Sequence, residues 1–503
     1  MTWAIRGLIE GFYGPPWSWD ERLDVAASCR ANGMTHYVYA PKDDPKHRAA
    51  WRDPYTAHEL DGFRSLVDRS GLTIGFGISP GLDIEPARSS DRRALASKVD
   101  QALACGIGLV LLAFDDLPTA GVDPALRGRQ HAELTIWLRD HLGDRAELAL
   151  VPTEYVGAEP SRYLDELAAG VPEDVPIGWT GMTVLNDRIT AAEATARATS
   201  LGGRQPLLWD NFPVNDAMMT DRLFLGPLRG RDPGLGEACS GYLANVMVQP
   251  RCSKLALASV AAYLCGKDPD AAWIIAAGDR RTFAEACDGS VPVVLAERFV
   301  AELDGPHWFE TARPLSDWLI RAEACQASGL EGEADAWLSQ VHREARLALS
   351  ALRLVHALRC TASVDAAGQG RVVRPSADLA AVEAFGLSLR WPALRRSPHT
   401  VLGQRCGFRP MIDQWPDGSW RFRAEALEVD RNATDLIVRA AFAALAEQPS
   451  PEEAGGLVEL HAGAQMVPVA SDGTFTAEPG SPLDLRLGRQ RTIVHPPAAT
   501  LGV

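Results

Sequence analysis

The chain has 503 residues, of which 46% are hydrophobic and 23% charged, a composition typical of a globular protein with two or three domains. Its 65 acidic and 50 basic residues give a formal charge of −15, which argues against nucleic acid or an anionic membrane as the main partner. Nine cysteines, an odd number without a CxxC pair, indicate free thiols in a reducing compartment.

The start of the chain lacks the basic and apolar regions of a signal peptide. No uninterrupted apolar run approaches the roughly 18 residues that a membrane helix needs. We therefore expect a cytoplasmic protein that neither crosses nor binds a membrane.

Short apolar segments alternate with longer amphipathic ones up to about residue 266, the pattern of repeated βα units around a parallel sheet. Eight βα units favour a closed (β/α)8 TIM barrel. An open doubly wound sheet is the alternative, but GFYGPPW is a poor match to the Gly-rich phosphate loop that usually follows its first strand. The first helix should begin after Ser18, with Glu21 completing a capping box. The predicted strands lie near residues 4–10, 34–40, 72–78, 107–114, 146–152, 175–179, 205–209 and 241–247.

The strand pattern stops after Leu264, and two further regions follow. Residues 269–399 have Ala, Leu, Glu and Arg at helical spacing and predict a helical domain, with a Gly- and Val-rich linker at 366–375. Residues 400–503 predict a small β-rich module with one helix near 434–447. Together with a barrel at 1–268, these make three predicted domains in an α/β chain.

The stretch Ile107–Pro118, IGLVLLAFDDLP, has no helical period and predicts a buried central strand that ends at Asp115 and Asp116. Adjacent carboxylates there are a catalytic pair, a metal site or a helix cap. The dipeptide alone does not decide between these three roles, because the same dipeptide also occurs at Asp43-Asp44. The other strand ends bring amides, carboxylates, a lysine and aromatic rings to the same rim. That set suits a sugar, although each residue alone could cap a helix.

Several long motifs carry a resemblance to a known family. EGFYGPPWSWDER, YAPKDDPKHRAAWRDPY, GISPGLD, LLAFDD, PTEY, WTG, WDNFPVNDAMMTDRLFLGPLRGR and LANVMVQP resemble glycoside hydrolase family 84, the β-N-acetylglucosaminidases that include the protein O-GlcNAcases. The resemblance covers residues 5 to about 265 in the family's order. It implies a (β/α)8 barrel and a retaining mechanism in which the substrate's own 2-acetamido group is the nucleophile.

By this resemblance, Asp115 would orient the acetamido N–H and stabilise the oxazoline intermediate, and Asp116 would protonate the leaving oxygen and then deprotonate water. Tyr155 would form a hydrogen bond near the acetamido oxygen, and Asn211 would help to hold that end of the site. The residues implied to bind sugar hydroxyls are Gly11, through its backbone, Lys42, Asp216 and Asn245. Those implied to form the pocket walls are Tyr13, Trp179 and Trp209.

The implied chemistry needs an acid on one side of the sugar and a negative charge by the acetamide on the other. Two adjacent carboxylates do not both ionise easily in a closed pocket, so we expect one to stay protonated. We expect no metal or organic cofactor, and loss of activity in chelator would support the alternative of a metal at Asp115-Asp116. GISPG matches a serine-hydrolase elbow, but Pro80 has no N–H to offer an oxyanion.

The segment around Asp43 and Asp44, with His47 and Arg48, has no metal-ligand spacing and is read as an ion-pair network around Lys42. The main hypothesis is an exo-acting, retaining β-N-acetylglucosaminidase that acts on a GlcNAc-bearing glycoside or glycoprotein. The second is a catalytically silent GlcNAc-binding or scaffolding protein. The resemblance also raises a homodimer through the helical domain. Which aglycone is bound is not readable.

Overall fold

The computed structural model describes residues 3–359, 361–365, 367–373, 375–404, 408–414, 420–426, 431–446, 459–470, 473–478, 481–487 and 490–495. The chain forms two compact units. The first contains Met1–Gly278 and Phe408–Glu425, and the second contains Asp279–Gly407 and Ala426–Val503. The division into three domains stays a prediction.

The first unit is built on a sheet of eight parallel strands, each close to a predicted one. Its strands are β1 (Ile5–Glu10), β2 (His36–Tyr39), β3 (Thr73–Ile78), β4 (Leu109–Ala113), β5 (Glu147–Val151), β6 (Gly178–Trp179), β7 (Leu207–Asp210) and β8 (Gly241–Asn245). Strand β1 pairs with both β2 and β8, and a bridge between Leu150 and Ile177 joins β5 to β6. The prediction of a (β/α)8 barrel is therefore confirmed.

A helix follows each strand, as the alternating pattern predicts. The helices are α1 (Trp19–Ala31), α2 (Ala57–Ser70), α3 (Ser89–Leu103), α4 (Pro124–Leu142), α5 (Arg162–Gly170), α6 (Ala191–Ser200), α7 (Leu235–Ala238) and α8 (Pro250–Leu264), with α9 (Pro269–Ala277) after them. Ser18 and Glu21 form the predicted capping box of α1, in which each side chain accepts a hydrogen bond from the other's backbone N–H. None of the helices described here is long and apolar enough to span a bilayer.

Strand β4 shows why the barrel strands are apolar throughout. Leu109, Leu111 and Ala113 pack in the barrel interior, and Val110 and Leu112 pack in the layer between strands and helices. Successive side chains of a strand point to opposite faces, and here both faces are covered. The same alternation runs through the other strands and decides which strand-end residues face the interior.

The second unit combines helices with small antiparallel sheets. Its helices are α10 (Arg281–Asp288), α11 (Ser290–Glu302), α12 (Trp308–Glu323), α13 (Asp335–Ala357), α14 (Ala377–Leu394) and α15 (Ala433–Ala446). The last of these confirms the helix predicted near 434–447. The strands after the barrel are β9 (Thr361–Val364), β10 (Gln369–Val373), β11 (Gly403–Gln404), β12 (Phe408–Gln414), β13 (Trp420–Ala426), β14 (Arg431–Asn432), β15 (Glu459–Ala462), β16 (Gln465–Met466), β17 (Thr474–Thr476), β18 (Leu483–Leu487) and β19 (Gln490–Val494). Of these, β12 and all of β13 except Ala426 belong to the first unit.

The linker predicted at 366–375 is wrong, because β10 lies within it and pairs with β9 and β17. A Cβ at Gly370 would lie 2.2 Å from the ring of Phe475, so this glycine makes room for a buried aromatic side chain. Val372 packs in the same small core as Phe475. The composition that resembles a linker is thus that of a strand crossed closely by a bulky neighbour.

Candidate active site

A cavity of about 400 Å³ lies at the carboxyl ends of the barrel strands. Parallel strands carry their C-terminal ends to one rim, so residues far apart in the sequence meet there. Most residues that the sequence predicts for the site line this cavity: Gly11, Tyr13, Lys42, Asp115, Asp116, Tyr155, Trp209, Asn211, Asp216 and Asn245.

The alternation of β4 explains the position of Asp115 but not that of Asp116. Ala113 faces the barrel interior, and Asp115, two residues later, keeps that direction into the cavity. By the same alternation, Asp116 would point towards the helices. Its φ of 53° lies instead in the left-handed region, which turns the chain and brings the second carboxylate into the same cavity.

Asp115 is buried and forms an ion pair with the ammonium group of Lys42, which is also buried. Burial opposes ionisation of Asp115, but the charges of Lys42 and Arg48 outweigh it and hold the pKa of this carboxyl below its usual value. Oδ2 accepts the bond from Lys42. Oδ1 is buried and has no hydrogen-bond partner among the described residues, which leaves an unused acceptor on a residue that lines the cavity.

Asp116 has a different environment. The hydroxyl groups of Tyr13 and Tyr155 each donate a hydrogen bond of 2.7 Å to its carboxylate, one to each oxygen. Burial, with the nearby charge of Asp116, raises the pKa of both tyrosines, so both stay protonated donors. Arg48 donates to the Asp116 carbonyl oxygen at 3.0 Å and approaches Oδ2 at 3.9 Å. The Asp116 side chain is 27% exposed and therefore accessible from the cavity mouth.

The wall opposite the carboxylates is a hydrogen-bonded set of amides beside an indole. The N–H of Gly11 donates to Asn245, and Asn245 donates to Oδ1 of Asn211 at 2.9 Å. The indole N–H of Trp209 donates to the same oxygen at 3.0 Å. A Cβ at residue 11 would lie 2.4 Å from the Trp209 ring, so only glycine allows the ring this position. Lys42 lies 5.6 Å from the ring centroid, within the range of a cation–π contact.

Asp216 comes from the loop after β7. Its Oδ2 accepts the backbone N–H of Tyr13 at 2.7 Å, and burial raises the pKa of this carboxyl. The neighbouring Asn215 fixes the loop, because its amide donates to the Arg222 carbonyl and accepts from the N–H of Val248. The loop therefore has a defined position at the rim.

Trp179 is a correction to the predicted site. Its ring is fully buried and packs with Val175 and Ile177 in the layer between strands and helices, and its indole N–H donates to the Gly157 carbonyl. Side chains in β6 alternate like those in every strand, so the next residue, Thr180, lines the cavity in its place.

Other strand-end carboxylates also point away from the cavity. Glu10 forms a two-bond ion pair with Arg22, and Asp210 forms one with Arg231. Asp44 accepts bonds from two tyrosine hydroxyls. These residues have structural roles, but the bonds described here are made to arginines and tyrosines and are not the helix caps or the network around Lys42 that the sequence suggested.

Some cavity residues were not predicted. They are mostly apolar and come from the end of β5 and from the segments after β6 and β7: Val151, Val184, Leu185, Val214, Ala217, Met218 and Met219. Arg48 was assigned to a network around Lys42, whereas its guanidinium group donates to the carbonyl oxygens of Asp115 and Asp116. The nearby His47 is buried, which lowers its pKa to about 4 and makes it a neutral structural residue.

Residues 6–279 match the family model described as beta-N-acetylglucosaminidase, and this range is more than half of the chain. The chain belongs to this family, glycoside hydrolase family 84. This beta-N-acetylglucosaminidase family member is 31% identical over 255 residues to the protein O-GlcNAcases of Rattus norvegicus and Mus musculus. Those matches cover 48% of this chain, and the chain spans only 28% of the length of the relatives.

Among solved structures, a mutant O-GlcNAc hydrolase from Thermobaculum terrenum has the same fold. The TM-score is 0.71, with 23% identity over 88% of this chain and 94% of that one. At this identity the likeness concerns the fold alone. The cavity at the rim of the barrel lies within the region that the family model matches.

Proposed function

We propose that the protein is a retaining exo-β-N-acetylglucosaminidase that hydrolyses terminal β-linked GlcNAc through an oxazoline intermediate. The observation that carries the proposal is the unequal environment of two adjacent carboxylates. Asp115 is paired with Lys42 and keeps one oxygen available, whereas Asp116 is held by two hydroxyl donors and reaches the cavity mouth.

In the first step, the acetamido oxygen of the substrate would attack the anomeric carbon. The bond to the leaving oxygen breaks as Asp116 gives it a proton, and the ring that forms is the oxazoline. Oδ1 of Asp115 would accept the acetamido N–H, and its negative charge would stabilise the positive charge that develops on the acetamide. The Lys42 ion pair keeps that oxygen ionised and in place.

In the second step, Asp116 would take a proton from water, and the water oxygen would add to the anomeric carbon and open the oxazoline. Two displacements at one carbon return the original configuration. The 27% exposure of Asp116 allows both the leaving group and water to reach it. The hydroxyl of Tyr13 would hold the carboxylate between the two steps.

The remaining cavity residues suit the sugar itself. Asp216 and Asn245 offer groups that can bond to sugar hydroxyls, and the Trp209 ring offers an apolar surface for the sugar face. Asn211 bonds through both parts of its amide to the protein, so we assign it to holding Trp209 and Asn245. Tyr155 would turn its hydroxyl from Asp116 towards the acetamido oxygen during the reaction.

The test is the release of a chromogenic phenol from an aryl β-GlcNAc, with product configuration followed by NMR. We expect release with retention, and no release from the matched aryl β-glucoside, which lacks the acetamido nucleophile. Chelator should leave the rate unchanged. A protein that binds GlcNAc but releases no phenol would instead be the catalytically silent sugar-binding protein.

The natural aglycone is a separate proposal. The relatives named protein O-GlcNAcase suggest a GlcNAc-bearing protein, and the exposed side chains of Tyr13 and Met218 give the cavity mouth an apolar surface that a peptide can contact. A panel of GlcNAc-peptides, chitobiose and hyaluronan fragments would rank the candidates. Faster turnover of chitobiose than of the peptides would contradict this proposal.

We also propose a cytoplasmic location. The support is the thiol state of cysteines in the described chain, since Cys29, Cys105, Cys239, Cys265 and Cys325 are free. Cell fractionation with thiol labelling would check it. Recovery of the protein outside the cytoplasm would contradict it.

The helix α14 supports a homodimer through the second unit. Leu379, Val382, Phe385 and Leu389 recur at helical spacing, and their side chains are 48%, 69%, 68% and 61% exposed. The residues Ala380 and Leu387 of the same helix are buried. A continuous apolar stripe of this kind is typical of a protein interface.

We expect light scattering to give twice the chain mass of 54.3 kDa for the wild type and the single mass for a Val382→Glu/Phe385→Glu variant. The control is Ile275→Glu, because Ile275 is 81% exposed but belongs to the first unit and not to this stripe. A wild-type monomer at micromolar concentration would contradict the dimer.

Arg48 is proposed as a positioning residue for Asp116. It bonds to the Asp116 carbonyl oxygen and lies 3.5 Å from the Tyr13 hydroxyl that holds the carboxylate. Replacing Arg48 with Gln should lower kcat by about 10- to 100-fold, because a small displacement of the acid weakens proton transfer. KM should change little, since Arg48 does not line the cavity.

Initial rates over a pH range measure the loss of kcat, and Arg48→Lys should lose less activity than Arg48→Gln. The control is Arg52→Gln, because Arg52 belongs to the same segment but bonds to Asp83 and Asp91 outside the cavity. Similar losses in both variants would mean that Arg48 supports the fold and not the acid.

A further inference from the structure

Three potential metal ligands meet on the surface of the second unit, and the proposed glycosidase reaction uses none of them. They are His307, Glu310 and His495, whose nearest ligand atoms all lie within 4.8 Å of one another. Oε1 of Glu310 lies 3.2 Å from Nδ1 of His307 and 2.9 Å from Nε2 of His495. The three side chains are about half exposed, at 49%, 49% and 54%, so an ion in solution can reach them.

The backbone on both sides of this cluster is fixed. His307 directly precedes α12, Glu310 lies in the first turn of that helix, and His495 directly follows β19. The N–H of Ile493 donates to the Pro306 carbonyl at 2.7 Å, one residue before His307. The strand and the helix therefore meet at a defined separation, and the meeting of the three side chains follows from it.

A buried side-chain bond fixes the same junction. The indole N–H of Trp308 donates to the hydroxyl of Thr492 at 3.0 Å, and both residues are buried. The imidazole rings of His307 and His495 lie nearly parallel, with an angle of 18° between them and 6.5 Å between centroids. Each ring thus places a nitrogen next to the same carboxylate oxygen, so the three potential ligand atoms lie together.

We propose that His307, Glu310 and His495 bind one Zn²⁺ ion, with water as the fourth ligand. Two imidazole nitrogens and a carboxylate oxygen form a set that zinc binds tetrahedrally, whereas Mg²⁺ and Ca²⁺ require oxygen ligands. Zinc bonds of about 2.0–2.2 Å place neighbouring tetrahedral ligands roughly 3.3 Å apart. The separations of 3.2 and 2.9 Å between the histidine nitrogens and Oε1 of Glu310 are close to this value. The two nitrogens lie within 4.8 Å of each other, so side-chain rotations that adjust these distances complete the site.

The role of this ion would be structural. It would cross-link the C-terminal strand β19 to the start of α12 inside the second unit, in addition to the Ile493 and Trp308 bonds. An ion that binds only the folded arrangement stabilises that arrangement by mass action. Zinc should therefore raise the temperature at which the second unit melts.

The experiment uses the full chain, stripped of metal with EDTA and dialysed. Titration with ZnCl₂ by calorimetry should show one site that is absent, or at least about 100-fold weaker, in His307→Ala, in Glu310→Gln and in His495→Ala. The control is His461→Ala. His461 pairs with Glu459 at 3.1 Å in the same unit but belongs to no three-residue cluster among the described residues, so its variant should bind zinc like the wild type.

Free thiols elsewhere in the chain can also bind zinc, so the readout is the difference between the wild type and the His307→Ala/His495→Ala variant. Co²⁺ added in place of Zn²⁺ should give the visible absorption of a tetrahedral site in the wild type and not in this variant. Circular dichroism in EDTA should show both proteins equally folded, because the exchanged side chains are exposed. Equal binding of zinc by the two proteins, or equal loss in His461→Ala, would overturn the proposal.

Discussion

Asp116→Asn should slow the hydrolysis of GlcNAc attached to a poor leaving group by about 10²- to 10⁴-fold, the range that proton transfer contributes. Aryl glycosides with acidic phenols should lose far less, because such a phenol departs without a proton. Asparagine keeps the size of the side chain and tolerates the left-handed φ of 53°. Its amide oxygen can accept one of the two tyrosine bonds, and its NH2 group can donate to the other hydroxyl oxygen. The substitution removes the acid of the first step and the base of the second, and only the first loss depends on the leaving group. Initial rates on a peptide glycoside and on an activated aryl glycoside measure the difference.

The matched control is Asp43→Asn. Asp43 belongs to the other Asp-Asp pair of the chain, is exposed and does not line the cavity, so its variant should keep the wild-type rates on both substrates. Equal losses of Asp116→Asn on both substrates would remove Asp116 from the role of the acid.

Asp115→Asn should reduce turnover of both substrate classes, by about 10²- to 10³-fold, the range observed when one group that stabilises a developing charge is removed. Every substrate must pass through the charged acetamide, whatever its leaving group. The same substitution leaves the buried ammonium of Lys42 without its carboxylate and should destabilise the fold by about 3–5 kcal/mol. Kinetics and denaturant unfolding of one preparation measure both effects.

The stability effect should depend on pH in one direction. The pKa of Asp115 in the folded protein lies below the usual value of 3.8, so its ion pair stabilises the fold above that value and is lost as pH falls through the lower folded value. The difference in stability between wild type and variant should therefore shrink in strong acid. Adding Lys42→Met to Asp115→Asn should recover stability but not activity. Unchanged turnover of Asp115→Asn would refute its role.

The barrel could be predicted because its signal is local and repeated. A strand buried on both faces is apolar throughout, and eight such runs at regular intervals leave few other folds. The set of rim residues followed from the strand ends and from the resemblance. Trp179 was misplaced although the signal was present. Val175, Ile177 and Trp179 alternate along the chain, so they lie on the same face of the strand and pack against helices, and Thr180 has to face the cavity.

Other features depend on contacts that no local pattern contains. Gly370 reads as part of a linker until Phe475, more than a hundred residues later, is seen to pack against it. Arg48 reads as one more charge in a polar loop until the turn after β4 brings the Asp116 carbonyl to it. His495 has no ligand spacing to His307 in the sequence, and the bonds of Ile493 to Pro306 and of Trp308 to Thr492 bring them together.

The left-handed conformation of Asp116 has a thermodynamic consequence. A residue with a Cβ is less stable in that region by roughly 1–2 kcal/mol, whereas glycine adopts it without penalty. Asp116→Gly would relieve this strain, but it would also remove the carboxylate that accepts the bonds of the Tyr13 and Tyr155 hydroxyls. The unfavourable backbone conformation at this bend is thus offset by the contacts that the same side chain makes in the cavity, so the turn persists because the carboxylate is held there.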